Sequence, residues 1–455
     1  MSFKETDLGL IPEEWKVDSL KNSLYIKGRI GWKGLKKSEY LKESNFRIIN
    51  GSNITNDNKI DWENCGFISK ERYLESPEIM LKENDIVMTK DGTIGKLAII
   101  KNLPGPTTIA SGLFLIRVED PSIDVNYLFY YFRSHFFRGL IHSRIEGSVI
   151  PHLYQRDLVN LKLPLPNINE QKAIANILST LDEKIETNNQ INEKLEEMAQ
   201  ALFKHWFVDF EFPNENGKPY KSSGGEMVES ELGMIPKGWK IVKLGDVIDF
   251  QNGYAFKSKD LLDVESDSTF RVFKMGNIRK GGGINHSGTK SYIERDKCQN
   301  LSNYIIKKGD LLMCMTDMKS NVALLGHTAL MDRDNEYILN QRVGLIRTKD
   351  SKVINYPYLY ILTNSEDFIN NLRSRANSGV QVNLSTKEIK DSLICLPDQK
   401  VHSLFNEITE RMFEKSFQVE DENQKLKLIR DTLLPKLMSG EIRVQLEDEV
   451  LEVQS

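Results

Sequence analysis

Two decapeptides of this chain, "DLGLIPEEWK" at Asp7–Lys16 and "ELGMIPKGWK" at Glu231–Lys240, carry Leu, Gly, Ile, Pro, Trp and Lys at six of ten positions, 224 residues apart. A repeat of that length is too long for a solenoid unit, so in 455 residues it predicts duplicated domains. Other landmarks keep the register. "LKENDIVMTKDG" (81–92) answers "IKKGDLLMCMTD" (306–317), and "LFLIRVED" (113–120) answers "VGLIRTKD" (343–350), each apolar run reading as a buried strand. "GSVIPHLYQRDLVNLKLPLP" (147–166) answers "GVQVNLSTKEIKDSLICLP" (379–397). Between landmarks the halves diverge, most at 25–60 and 250–300, as two copies must if each binds something different.

Each half closes on a helical pattern. In 167–207 the apolar residues Ile174, Leu178, Leu181, Ile185, Ile191, Leu195, Met198, Leu202 and Trp206 recur at three and four, the seam of a long helix packed on another. Asn167 followed by Glu170 marks its start. The second copy places Val401, Leu404, Phe405, Ile408, Met412, Val419, Leu426, Leu433 and Leu437 on one face and stops at Gly440. Both patterns have a polar interruption, at Thr187–Gln190 and at Asp421–Gln424, which reads equally as a solvated stretch or as a buried layer that fixes register. Helices of about 35–40 residues would be about 50–60 Å long, and neither can bury such a stripe alone. The expected fold is therefore mixed α/β (α+β): two pseudo-symmetric globular heads separated by two long, antiparallel, packed helices. Trp15 and Trp239 read as core anchors, and Phe203, Trp206 and Phe207 as packing the first helix end against a head.

The net charge of −4 hides an alternation. Lys and Arg exceed Asp and Glu by 21 to 16 in residues 21–166 and by 24 to 18 in 237–397; they fall short by 4 to 9 in 167–211 and by 8 to 13 in 398–455. Basic heads suit a polyanion, acidic helices do not. Hydrophobic residues at 40% suffice for sizeable cores, and no apolar run approaches the ~18 residues of a membrane span. "MSFKETDLGLIPEEW" does not read as a signal peptide, and the four scattered cysteines fit buried thiols of a reducing cytoplasm. Catalytic signatures are missing. "GTIGK" (92–96) and "GGG" (281–283) complete neither a P-loop nor a dinucleotide fingerprint, and both read first as tight turns. No Pro-Pro dipeptide offers an amino-methyltransferase loop, Pro397-Asp398 has no partner motif for a nuclease, and the seven histidines show no metal-ligand spacing.

The repeat, the basic heads, the helix "EQKAIANILSTLDEKIETNNQINEKLEEMAQALFKHWFVDFEFP" and the closing "LLPKLMSGEIRV" together resemble the specificity subunit of type I restriction–modification systems over essentially the full length. The resemblance implies a target-recognition domain at 1–166, a spacer helix region at 167–212, a second recognition domain at 213–397, and a second helix region with its tail at 398–455. It implies that each head reads half of a split, asymmetric site on double-stranded DNA. The helices would dock two methyltransferase (M) subunits, joined by restriction/translocase (R) subunits. Chemistry and its cofactors (S-adenosylmethionine, ATP and Mg) would belong to those partners, with none in this chain, no metal site and no membrane association. "PDQK" looks shorter than "PNINEQK", and "SGVQVNL" replaces "GSVIPHL", which departs from exact symmetry.

Lys and Arg neutralise phosphates, whereas Arg, Asn and Gln reach base edges. The expected DNA contacts in the first head are Lys33, Asn53, Asn56, Lys90, Thr93, Lys96, His152 and Tyr154. In the second they are Asn277, Arg279, Lys280, His286, Lys319, Asn321, Gln341, Arg342, Gln381 and Asn383. The partner-binding seam is expected at Ile174, Leu178, Leu181, Ile185, Leu195, Leu202, Leu404, Ile408, Leu426 and Leu433. Two other readings stay open at this point: a helical scaffold bridging proteins without DNA, and a nuclease or methyltransferase with degenerate motifs.

Overall fold

The computed structural model describes residues 2–29, 34–145, 152–286, 288–318, 322–378 and 381–445. Lys33, Lys319 and Asn321 lie outside these residues. Runs of strands and runs of helices follow one another along the chain, which divides into two compact units, Met1–Glu186 with Gln424–Ser455, and Thr187–Asn423.

In the first unit the strands Leu24–Gly28, Leu113–Val118, Ile86–Thr89 and Leu97–Ile99 pair antiparallel in that order. Successive side chains leave opposite faces of a strand. Ile86, Met88, Phe114 and Ile116 enter one core, whereas Val87, Leu113 and Leu115 enter another. A sheet covered on both faces explains why "IVMT" and "LFLI" are apolar without alternation. The second core is covered by a smaller sheet in which Phe46–Ile49 runs antiparallel to Gly66–Ile68 and parallel to Thr107–Ile109. The first is covered by helix Val125–Arg133 and by Ile174, Leu178, Leu434, Leu437 and Met438 of the two long helices.

The second unit repeats this plan. Ile248–Asn252, Val343–Thr348, Leu311–Cys314 and Thr328–Leu330 form the four-stranded sheet, and Thr269–Phe273 sits between Tyr292–Glu294 and Tyr337–Leu339. The two copies share their internal ties. Arg117 holds Asp85 through two bonds of 2.7 Å, as Arg347 holds Asp310 at 2.7 and 2.6 Å. The Tyr127 hydroxyl donates to the Pro164 carbonyl and the Tyr358 hydroxyl to the Cys395 carbonyl, each at 2.7 Å. The repeat also runs through segments expected to diverge. The turn Asn50–Asn53 follows Phe46–Ile49 as Lys274–Asn277 follows Thr269–Phe273, and the bridge Ile54–Ile60 matches Ile278–Ile284.

The repeated decapeptides form equivalent parts. Each belongs to a hairpin, Phe3–Thr6 with Gly9–Pro12 and Met227–Ser230 with Gly233–Pro236. Gly9 and Gly233 take φ of 91° and 92°, a backbone that a side chain would strain. Both Trp residues are buried, as expected, but in different sockets. Trp15 Nε1 donates to Glu170 at 3.1 Å, and Arg443 Nε donates to the same carboxylate at 2.7 Å. Trp239 instead stacks on Phe212 at 5.0 Å, and its Nε1 finds no hydrogen-bond partner among the described residues.

The long helices are Ile168–Phe203 and Gln399–Ser439. Asn167 Oδ1 accepts from the Glu170 amide and Asp398 Oδ1 from the Val401 amide, both at 3.0 Å. The second helix start is thus no shorter than the first, correcting the sequence comparison of "PDQK" with "PNINEQK". In each unit the two helices run antiparallel. Asp182 meets Arg430 at 2.7 Å in the first unit; in the second, Asn188 meets Asn423 at 3.0 Å and Phe203 meets Phe405 at 6.1 Å between ring centres. The polar interruption has a buried centre and a solvated rim: Asn188 Nδ2 donates to Asn423 Oδ1 and to Glu422 Oε2, and Asn423 Nδ2 donates to Asn189 Oδ1 at 3.0 Å, while Thr187, Gln190, Asp421 and Glu422 are exposed. Ile174, Leu178 and Ile185 are buried, while Leu181, Leu195, Leu202, Ile408, Leu426 and Leu433 are half-buried. Leu404 is not in the seam. It is 42% exposed, because the buried stripe runs through Val401, Phe405, Thr409 and Phe413, one residue round the helix. Ile191 and Met198 are exposed too. Phe203, Trp206 and Phe207 join the second unit's core with Tyr358, Phe405 and Trp239, as expected.

Candidate nucleic-acid interface

In the first head the loop after strand Ile86–Thr89 is closed on itself. Thr89 Oγ1 donates to the Thr93 carbonyl at 2.5 Å and accepts from the Lys96 amide at 2.9 Å. Gly92 and Gly95 turn the chain with φ of 69° and 85°, so "GTIGK" is a tight turn. The loop docks against the segment that begins at His152: Leu153 N donates to the Lys90 carbonyl at 3.0 Å, and the His152 ring contacts the Asp91 carboxylate. Lys90 Nζ lies 5.2 Å over the Phe114 ring. His152 packs edge-on against Tyr154 at 4.5 Å, and the Arg156 guanidinium lies over that exposed ring at 4.8 Å. Lys90, Thr93, Lys96, His152 and Tyr154, separate in sequence, are thereby brought to one place. Arg156 belongs with them and was missed; its signal was its position two residues beyond Tyr154, which the helical start Gln155–Val159 turns back over the ring.

The second head builds the same platform from other residues. Leu384 N donates to the Met315 carbonyl at 2.9 Å, and Thr316–Met318 pairs with Gln381–Asn383, where the first head has the bridge between Asp91 and His152. Asn383, exposed, accepts from Thr316 Oγ1 at 2.8 Å. Asp317 receives the Leu324 amide at 2.7 Å and so holds the far side of the loop. Met315 N donates to the Arg342 carbonyl at 3.1 Å, as Lys90 N donates to Gly112. Gln341 and Arg342, both exposed, therefore flank this loop where the first head has Ser111 and Gly112. Exposed Tyr254, whose amide donates to Leu339, adds an aromatic ring beside them that sequence reading passed over because "QNGYAF" lies outside the repeated landmarks.

The remaining residues sit elsewhere. Asn53 and Asn277 are buried and their amides are consumed by their own turns, which corrects their assignment as base readers. Asn53 Oδ1 accepts from Asn50 N at 3.0 Å and Nδ2 donates to Asn64 O at 2.9 Å; Asn277 accepts from Lys274 N at 3.0 Å and donates to Thr289 O at 3.2 Å. Asn56 is exposed on the hairpin beyond the first of these turns. Arg279 and Lys280 are exposed at a hairpin turn made possible by Gly281–Gly283, with φ of 87°, 109° and 89°. His286 is turned inward. Its Nε2 lies 3.2 Å from Asp332 and 3.7 Å from Glu420, two carboxylates that repel a phosphate, so it is not a DNA contact. Histidines scattered in the sequence are thus not all isolated in space. Burial pushes the thiols of Cys314 and Cys395 up to about 12, which leaves them protonated and inert. No helix among the described residues is long and apolar enough to cross a membrane.

Two stretches, residues 12–197 and 236–415, match the type I restriction modification DNA specificity domain. The chain is 27% identical to the type I restriction enzyme MjaIX specificity subunit of Methanocaldococcus jannaschii, over 97% of each chain. It is 22% identical to the type I restriction enzyme EcoKI specificity subunit of Escherichia coli, over 96% of this chain and 91% of that one. The crystal structure of the type I restriction–modification S subunit from M. genitalium has the same fold, with a TM-score of 0.51 over 93% of this chain and 96% of that chain at 19% identity.

Proposed function

Since the chain belongs to the type I restriction–modification DNA specificity family, and is a non-catalytic DNA sequence-recognition subunit, we propose that each head reads one half of a split, asymmetric duplex site. The observation that carries this reading is the duplicated platform with unlike surface groups: His152, Tyr154 and Arg156 on one, Asn383, Gln341 and Arg342 on the other. A shared frame fixes where the reading groups stand, and different side chains give each head its own code. Lys90 and Lys96 supply phosphate contacts, as do Arg279 and Lys280. Gln381 stays a candidate reader by sequence. Lys33, Lys319 and Asn321 stay candidates by sequence alone.

The domains divide at 1–166, 167–212, 213–397 and 398–455 in this reading. Two methyltransferase subunits dock on the helices, where Leu428 is 69% exposed and Ile429 is exposed beside it. The restriction/translocase subunit joins that assembly in the cytoplasm; S-adenosylmethionine, ATP and Mg act on the partners. The test is methylome sequencing of cells carrying single variants with their methyltransferase. Arg342→Ala and Asn383→Ala relax bases of one half-site, while Lys96→Ala weakens binding to all sequences and lowers its salt slope by about one. If Arg342→Ala relaxes the half-site that His152→Ala also relaxes, the one-head, one-half assignment fails.

A further inference from the structure

We propose that His286, Asp332 and Glu420 form a binding site for one divalent cation of the zinc type. The three come from separate places in the second unit: the hairpin that carries Arg279 and Lys280, the segment after strand Thr328–Leu330, and the second long helix. Their ligand atoms all lie within 4.8 Å of one another. His286 Nε2 stands 3.2 Å from Asp332 Oδ2 and 3.7 Å from Glu420 Oε1. A tetrahedral ion with bonds of about 2.0–2.1 Å requires ligand atoms about 3.3 Å apart, so a single ion fits between all three with small side-chain adjustment.

The donor set suits a cation. Asp332 is 8% exposed and the Glu420 side chain 16%, so two carboxylates converge where water screens them poorly. Asp332 Oδ1 has no hydrogen-bond donor among the described residues, and the Arg333 guanidinium nearest it, at 3.7 Å, leaves the Oδ2 side open toward His286. One nitrogen and two carboxylate oxygens suit zinc; magnesium, which demands an octahedron of oxygens and keeps its waters, does not fit this set. The bound ion staples the Arg279–Lys280 hairpin to the helix, and a water completes the fourth position. In the first head the same kind of tie is a plain ion pair, Lys59 to Glu186 at 2.5 Å.

The experiment uses the full chain, stripped with EDTA, dialysed against zinc chloride and assayed for bound metal. The expected result is one zinc per chain, a raised thermal midpoint with zinc, no such gain with magnesium, and loss of the bound equivalent in His286→Gln and in Glu420→Gln. Both variants should keep the wild-type circular dichroism and the wild-type midpoint in EDTA. Uptake of no zinc by the wild type, or equal uptake by Glu420→Gln, overturns the site. Should a variant fail to fold, cobalt(II) added to the wild type decides: a tetrahedral visible absorption band supports the site, and a purely octahedral spectrum refutes it.

Discussion

Glu170 and Val401 occupy the same step of the two helices, three residues after the capping Asn167 and Asp398. One neutralises Arg443 and receives the Trp15 indole; the other leaves the Trp239 indole to an aromatic stack on Phe212. Neither residue should tolerate the other's place. Glu170→Val strands a buried indole donor and removes one of the two carboxylates that hold Arg443, Glu14 being the other, which costs about 2 kcal/mol; Val401→Glu buries a carboxylate in an apolar cluster and costs about 3 kcal/mol. Urea unfolding of both variants checks this, and a neutral Val401→Glu would show that the socket is open to water. One step further on, Gln171 in the first helix corresponds to His402 in the second. Burial lowers the His402 imidazole to about 4. A base held neutral when folded loses stability as pH falls from the unfolded value near 6.5 toward 4, because only the unfolded chain gains the proton; the loss is roughly 3 kcal/mol. His402→Gln, the first head's solution, should remove that share of the acid sensitivity in denaturant melts at pH 7 and pH 4.5.

At the scale of elements, the helices and the apolar strands were legible because their periods are local: "LFLI" and "IVMT" say buried strand whatever surrounds them. The exact buried face was not. Leu404 matches the seam by spacing, yet Phe405 and Phe413 win the interior because the Tyr356 and Tyr360 rings of helix Tyr356–Asn364 meet Phe413 there. The glycine turns at "GTIGK" and "GGG" were legible, but the roles of asparagines in turns were not. An asparagine in a loop looks like a base reader until its amide is seen to be spent, as at Asn53 and Asn277, and a His–Asp–Glu triad spread over three segments leaves no spacing to find. The Asn188–Asn423 layer makes a prediction of its own. Asn423→Leu alone takes one of the two acceptors from Asn188 Nδ2, Glu422 being the other, and should cost about 1–3 kcal/mol, whereas Asn188→Leu with Asn423→Leu, which leaves only the half-exposed Asn189 and exposed Glu422 to water, should cost less than the sum of the two single changes. A double-mutant cycle measures the difference; additive losses would mean the layer is wet.

For the whole molecule, each head carries its own cores, its own Arg–Asp tie and its own reading platform. Exchange of residues 21–160 for those of a relative should therefore change one half of the recognised sequence and leave the other intact. Methylome sequencing reads the outcome, and a simultaneous change of both halves would contradict independent heads.

The two units are not equal in the order in which a ribosome delivers them. Thr187–Asn423 is one uninterrupted stretch, so the second head has all its core residues once Asn423 has emerged. The first head, though made earlier, lacks Leu434, Leu437, Met438 and the Arg443 that caps its tryptophan until those residues follow. The usual N-terminal-first sequence of folding during synthesis is reversed: the head begun first is finished last. Until then its open core is exposed to chaperones and proteases, and a chain cut short after Asn423 would present a complete second head beside an unfinished first one.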